Sequence, residues 1–568
     1  MGKVLVLGRD SRAFLAVIRS LGRAGIRVDA AWSGIEHIPR KSRYLTTSHD
    51  VPEYRENDPS WLAAMTALLE RERYDLVIPT NDTTVAALQL HKRELGSLSR
   101  LQVLSDEAYD VLSDKRKSAS LARAHGVPVP QEIEVHSVDQ PPPGFGLPLV
   151  LKPLTSYDAA NPGSRREVRK VYSASGYQDT LREVLRGGPV LVQENVPGRG
   201  AGVELLLREG EPLLEFQHAR VHEPLMGGGS SYRRSVPVSR QLRNASLAIL
   251  RPLRYTGVAM VEFKVDPESG RYVFMEVNPR FWGSLPLALV AGVDFPIALY
   301  RLLVEGTVPS PVRYRSGVHC RHLTRDLEWQ VANLRADRSD PTLATRPPRL
   351  VLRDAFVNVL SFREHVDSFS FDDPVPAVEE IRLLARRAAT HVAEKGRAIL
   401  RASRMIRRRL ARRASLSAAR ASTVMFVCKG NVCRSPFAEQ IARRDGRFAR
   451  VTSAGYFPAE GRQAPGFARE VAREHGASLE DHRSRRLTAS DVREADLILV
   501  FDSENLDRVV RDFPQARGKT HLLGAFSASD PLIIEDPWSR ERDTFRRVYA
   551  QIVRGIARLN HVRETSQP

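Results

Sequence analysis

Residues 424–436 leave the backbone little freedom. The apolar run Val424-Met425-Phe426-Val427 leads into Cys428-Lys429-Gly430-Asn431-Val432-Cys433-Arg434-Ser435, and Pro436-Phe437-Ala438-Glu439 then opens a helical pattern. A strand, a Gly-containing loop and a helix start form the arrangement in which backbone N–H groups and a helix N-terminus converge on one anion. Pro436 suits the first helical turn, where its missing N–H costs nothing. Asn431 tolerates the left-handed backbone that such loops often need. From Thr423 to the end, strand and helix patterns alternate, which predicts a parallel α/β domain.

The same nest of donors stabilises a thiolate at Cys428, so Cys428 is the candidate nucleophile for a phosphate monoester. Arg434 offers a planar fork of donors to two equatorial phosphoryl oxygens. Ser435 has a hydroxyl to hydrogen-bond the sulfur. Lys429 follows the nucleophile and hints at acidic substrates. Cys433 has two readings, a small buried thiol or the partner in a reversible disulfide that shields Cys428 from overoxidation.

The full run from Val427 to Pro436 resembles, position by position, the phosphate loop of the low-molecular-weight protein tyrosine phosphatases. The resemblance covers about residues 423–560 and continues through Thr452-Ser453-Ala454-Gly455, Ser484-Arg485-Arg486-Leu487-Thr488, Ala495-Asp496-Leu497-Ile498-Leu499 and Glu535-Asp536-Pro537. It implies a cysteinyl-phosphate intermediate, no cofactor, and a phosphotyrosine protein or other aryl phosphate as substrate. It also implies Asp536 as the general acid, because a phenolate must be protonated as the P–O bond breaks. Where that family places tyrosines after Asp-Pro, this chain has Trp538 and then Ser539. The related arsenate reductases need further downstream cysteines, and no Cys follows Cys433.

A chain of 568 residues is too long for one core, and 42% apolar with 27% charged residues is the profile of ordinary globular domains. Residues 1–105 alternate apolar runs (Val4 to Leu7, Leu76 to Ile78) with amphipathic segments (Phe14 to Arg23, Trp61 to Leu69), as a small parallel α/β domain does. In 106–310 the strand-like runs lengthen, which suggests α+β. Residues 311–422 lose strand density and read as a helical tail and basic linker. The domain from 423 to 568 completes a multidomain α/β chain.

Within 106–310, Glu262 closes one strand, while Glu276 and Asn278 share one face of the next. Three oxygen ligands so placed suit Mg²⁺ held together with nucleotide phosphates. Tyr272-Val273-Phe274-Met275-Glu276-Val277-Asn278-Pro279-Arg280 resembles the ATP-grasp superfamily. The resemblance implies Glu262, Glu276 and Asn278 as metal ligands, with Arg280 on phosphate or substrate. It further implies Lys115 and Lys152 as nucleotide-contacting lysines, Glu194 in an adenine-binding hinge (Gln193 to Gly198) and Glu204 near the ribose. ATP and Mg²⁺ are then the cofactors, and unidentified carboxylate and amine substrates would react through an acyl phosphate. The segment after Lys152, Thr155 to Arg169, is poorer in Gly than this family's phosphate-covering loop. Thr80-Asn81-Asp82 after a strand resembles the domain that precedes ATP-grasp, as expected of 1–105.

The formal charge of +19 favours anionic partners without naming one. No zinc-finger spacing or interleaved aromatic and basic pattern supports nucleic acid. Ile399, Ala402, Ile406 and Leu410 recur at helical spacing among Arg407, Arg408, Arg409, Arg412 and Arg413, so this helix either bridges domains with a solvated face or docks on an anionic membrane. Cys320 between His319 and His322 reads as a core thiol rather than a metal ligand. The start has no signal-peptide pattern, and three cysteines suit a reducing compartment, so the expected location is cytoplasmic. Two further readings stand beside a two-headed enzyme: a phosphatase with a non-catalytic nucleotide-sensing or scaffold N-terminal half, and a membrane-surface adaptor.

Overall fold

A computed structural model describes the chain except at residues 1, 9–10, 33–37, 56–57, 155–167, 173, 186–187, 226–228, 337, 339–344, 354–362, 403, 458–459, 528–529, 539 and 566–568. The chain divides into two compact units, Met1–Ala385 and Arg386–Pro568.

In the first unit, β1 (Lys3–Gly8), β2 (Arg27–Trp32), β3 (Leu45–Asp50) and β4 (Leu76–Pro79) form a parallel sheet in the order β3-β2-β1-β4. The helix Ser11–Arg23 buries Phe14, Val17, Ile18 and Leu21, the i, i+3, i+4, i+7 stripe of an amphipathic helix. A small antiparallel sheet follows, β5 (Glu132–Val135), β6 (Leu149–Pro153), β7 (Arg169–Val171) and β8 (Val190–Glu194), in the order β5-β8-β6-β7.

The largest sheet runs β13-β12-β9-β10-β11-β14-β15. Its strands are β9 (Arg199–Arg208), β10 (Glu211–His222), β11 (Tyr232–Ser235), β12 (Gly257–Val265), β13 (Tyr272–Asn278), β14 (His319–Arg321) and β15 (Glu364–Val366). One of its faces, through Leu206, Phe216 and Met260, shares a core with Val4 of β1, with Phe14 and Val17 of the helix Ser11–Arg23, and with Trp282 and Phe295.

The boundary expected at residue 310 moves. β14 and β15 lie in the stretch expected to be a helical tail and linker, yet they extend the large sheet. Strands of three residues are too short to show a period-two pattern. Buried ion pairs hold them: Arg321 bonds Asp326 and, at 2.7 Å, Glu364, while Arg233 on β11 bonds Asp367. Arg19 reaches Asp373 at 2.9 Å and so ties the N-terminal helix to the same segment.

In the second unit, β16 (Thr423–Cys428), β17 (Arg450–Gly455), β18 (Leu497–Val500) and β19 (Thr520–Leu522) form a parallel sheet in the order β17-β16-β18-β19. β16 pairs with β17 on one side and β18 on the other. Its C-terminal end therefore lies at the switch point where open α/β sheets bind ligands.

The basic helix Arg404–Arg420 is part of this unit. Ala414 and Ala418 are buried at i, i+4, as is Ala421 just past the helix end, and Arg407 donates to the carbonyls of Ser527 (2.9 Å) and Asp530 (2.6 Å). Leu410 packs beside Met425 and Ile498, while the side chains of Ile399, Ala402 and Ile406 lie outside the described residues. The apolar side of the described part of this helix faces protein. Among the described residues no single helix is long and apolar enough to cross a membrane.

Candidate active sites

Cys428 ends β16 and is buried. Its sulfur accepts the N–H of Asn431 at 3.3 Å and lies 3.1 Å from Ser435 Oγ. Asn431 has φ 50°, the left-handed conformation anticipated for it. Its amide nitrogen donates to Ser435 Oγ (3.0 Å) and Ser453 Oγ (2.9 Å), and its Oδ1 accepts the N–H of Arg485 at 2.9 Å. Two segments distant in sequence, 452–455 and 484–488, thus grip one loop residue. Gly455 is required by space: a Cβ there would stand 2.8 Å from both Asn431 N and Lys429 O.

Arg434, 1% exposed, begins the helix Arg434–Arg444. Its Nη1 donates to Asp502 (2.6 Å) and to the carbonyl of Ile534 (2.9 Å), and its Nη2 lies 2.7 Å from Asp536 Oδ2. Its Nε is buried with no hydrogen-bond partner among the described residues. Burial alone would lower the guanidinium's pKa, but Cys428, Asp536 and Asp502 outweigh it and hold Arg434 charged. Asp536 is half-buried and Trp538 is 51% exposed. Lys429 is exposed, with Nζ 3.6 Å from Glu504.

In the first unit, Glu262 and Glu276 stand directly opposite on β12 and β13. Asn278, two residues on, has its Nδ2 3.4 Å from Glu262 Oε1. Arg220 bonds Glu262 and reaches Glu223 at 3.3 Å. Arg280 grips both oxygens of Asp82 (2.6 and 2.9 Å) and donates to Asn278 Oδ1 at 2.9 Å. Lys152 on β6 is pushed down to about 8 by burial and then by Lys115, with Glu276 opposing, so these three share one electrostatic neighbourhood. Glu194 accepts the N–H of Gln131 at 2.9 Å, and Lys264 on β12 donates to Val196 O at 2.9 Å, tying down the hinge segment.

Glu204, expected near the ribose, lies on β9 beneath packed side chains. It is fully buried, bonded to His218 and, at 3.1 Å, to Ser284, and burial raises its pKa. An alternating strand places a carboxylate on a face, but only the helices packed over that face decide whether it sees solvent. Residues 155–167, the Gly-poor segment after Lys152, lie outside the described residues.

Among the described residues no three His, Cys, Asp or Glu side chains converge. Glu262, Glu276 and the Asn278 amide oxygen still form a donor set that suits Mg²⁺, which takes one or two carboxylates and completes its shell with phosphate and water.

Residues 423–566 match the family model for low molecular weight phosphotyrosine protein phosphatase. The low molecular weight protein-tyrosine-phosphatase Etp of Escherichia coli is 38% identical over 133 residues, which are 88% of that protein and 23% of this chain. Through its second unit, the chain belongs to the low-molecular-weight protein tyrosine phosphatase family.

The crystal structure of the tyrosine phosphatase AmsI of Erwinia amylovora is similar to the phosphatase unit at 37% identity, covering 24% of this chain and 91% of that one, with a TM-score of 0.24. Residues 236–305 match the model for the ATP-binding domain of the carbamoyl-phosphate synthase L chain, so the phosphatase is joined to an ATP-grasp-type domain. Biotin carboxylase of Campylobacter jejuni is similar over 56% of this chain and 74% of its own, at 18% identity and a TM-score of 0.44.

Several parts of the phosphatase site escaped the sequence reading. Asp502 reads locally as a helix cap, which it also is, since its Oδ1 accepts Asn505 N at 2.7 Å. Arg462 supports the loop by donating to Gly430 O at 2.7 Å, and His482 Nε2 lies 2.7 Å from Asn431 O. Neither carries a local signal. Cys433 is 2% exposed, and burial followed by the neighbouring Cys428 pushes its thiol far up, which suits a packed, protonated side chain.

Proposed function

We propose that the second unit hydrolyses aryl phosphates, phosphotyrosine proteins among them, through a cysteinyl phosphate. The observation that carries this reading is Cys428 Sγ lying within hydrogen-bond reach of Asn431 N–H and Ser435 Oγ, with charged Arg434 against Asp536. Cys428 sulfur attacks phosphorus, the S–P bond forms as the P–O(aryl) bond breaks, and Asp536 gives its proton to the departing phenolate. The Asp536 carboxylate then takes a proton from water, whose oxygen attacks phosphorus. The S–P bond breaks, releasing inorganic phosphate and restoring the sulfur.

Arg434 receives two equatorial oxygens as charge spreads over them, and Ser435 hydrogen-bonds the leaving sulfur. Val432 and Cys433 pack in the core beneath the loop, leaving backbone N–H groups to face the anion. Trapping a phosphoenzyme with a labelled aryl phosphate, after acid quench, tests the intermediate. Label retained by the Cys428→Ala chain would overturn it.

For the first unit, the reading is ATP- and Mg²⁺-dependent ligation of a carboxylate to an amine. Glu262, Glu276 and Asn278 would hold the metal, and Lys115 and Lys152 the nucleotide phosphates. Bound Mg²⁺ neutralises phosphate charge and so favours transfer to a carboxylate. ATP hydrolysis screened against pooled carboxylates and amines tests this.

One observation favours a second reading, a nucleotide-sensing unit without turnover. Arg220 holds Glu262, and Arg280 holds Asp82 and Asn278, so guanidinium groups occupy oxygens that a metal would use. ATP binding without stimulation by any pool would support it. A cytoplasmic location would suit both units, supplying ATP to the first and keeping Cys428 of the second reduced.

A further inference from the structure

Across five strands of the large sheet, Phe263, Ala201, Ala219, Arg234 and His319 stand opposite one another in register, so they share one face. Glu276, Glu262, Gly202, His218 and Ser235 form the neighbouring row and face the other way. The helix Arg240–Leu250 covers the first part of the former face, where Leu242, Ala245 and Ile249 share a core with Ala201, Val203 and Phe263. Beside that covered part, around Ala219, a cavity of about 670 Å³ opens. Sites for small molecules typically measure about 300–1,000 Å³.

The charge of this cavity is one-sided. Arg199, Arg234, Arg346, Arg353 and His319 line it, and no Asp or Glu is among its described lining residues. Arg220 also borders it, but its guanidinium is engaged by Glu262, on the other face, and by Glu223. Arg199 and Arg234 are exposed and, among the described residues, have no carboxylate partner.

The helix Arg240–Leu250 also presents its N-terminus here, through Ser239, Gln241 and Leu242. Ser239, its N-cap residue, makes no capping bond through its side chain and gives its own N–H to Gln217 at 2.8 Å. The first-turn N–H groups and the positive end of the helix dipole therefore add to the guanidinium groups. Arg199 and Arg234 bring like charge to one cavity, and an entering anion would offset it.

We propose that this cavity is a binding site for a small polyanion bearing two or more closely spaced phosphate or carboxylate groups, on the sheet face opposite the proposed nucleotide site. Alanines at positions 201 and 219 leave room on the floor, while arginine forks around the rim match planar oxyanions.

Hydrogen exchange of the full chain without Mg²⁺ tests this, with tripolyphosphate and citrate as separate probes and sodium chloride at matched ionic strength as control. At least one probe is expected to slow exchange severalfold in peptides covering residues 232–242, and the effective probe identifies phosphate or carboxylate as the group recognised. The effect is expected to vanish in the Arg199→Gln, Arg234→Gln double variant, whose aryl-phosphate hydrolysis stays normal, and to persist in Glu276→Gln. The proposal is overturned by no slowing with either probe, by equal slowing with sodium chloride, by slowing that survives the double variant, or by its loss in Glu276→Gln.

Discussion

Arg434 Nη2 stands 2.7 Å from the Asp536 carboxylate, so the arginine that would receive the phosphoryl group is held beforehand by the group that would protonate the leaving oxygen. The Asp536 side chain is 39% exposed, which keeps the pair weak enough for an incoming dianion to displace it. Displacement also frees Asp536 to act as an acid.

Asp536→Ala should therefore have two opposite effects. Inorganic phosphate, measured as a competitive inhibitor, should bind about two- to fivefold tighter, because the partly solvated Asp536 carboxylate no longer competes for Arg434. Hydrolysis of esters with poor leaving groups should fall by about 10²–10⁴, and activated aryl esters should lose much less. Equal loss across a series of phenols would remove Asp536 from the acid role.

Gly455→Ala should cripple the phosphate loop without touching a reacting group. The added Cβ meets backbone atoms of Lys429, Gly430 and Asn431 at 2.8–3.0 Å, so the loop must shift. A stability loss of about 1–3 kcal/mol is expected, with at least tenfold lower kcat/KM toward an aryl phosphate. Denaturant titration and steady-state kinetics check the two separately.

Glu276→Gln keeps the side chain's size and removes its charge opposite Glu262. Calorimetric titration should show Mg²⁺-dependent ATP binding weakened at least tenfold, with aryl-phosphate hydrolysis unchanged. Cys428→Ser should do the reverse, abolishing hydrolysis and sparing ATP affinity, because the proposed nucleotide set ends at Arg280. A severalfold change of hydrolysis on adding ATP to the wild type would show coupled sites instead.

Asp326 predicts an acid limit on the first unit. Burial would raise its pKa, but the bond from His222 and the charge of Arg321 win and hold the carboxyl down at about 2. A carboxyl depressed on folding stabilises the fold above its ordinary titration range, and the stabilisation fades as pH falls from about 4 through about 2. The contribution is on the order of 2 kcal/mol. Asp326→Asn, which removes the negative charge beside Arg321 and the carboxylate bonded to His222, should lower the unfolding temperature at pH 7 and flatten this acid dependence. Thermal unfolding at pH 3 and pH 7 measures both.

Much of this was legible in residue order, for a physical reason. The run from Val427 to Pro436 carries its own conformational bias: the strand, the left-handed Asn431 and the helix start are local backbone preferences that point to Cys428. Likewise Glu276 and Asn278 share a face because strand side chains alternate. Tertiary structure alone decided what depends on distant chain segments meeting. It placed Asp502 on Arg434, put Arg485 and Ser453 on Asn431, closed Glu204 under Ser284, and drew β14 and β15 onto the large sheet through Arg321 and Glu364. Such contacts join residues up to 80 positions apart in capping or ion-pairing roles that look ordinary locally, and only the packed core brings them within a few ångströms of one another.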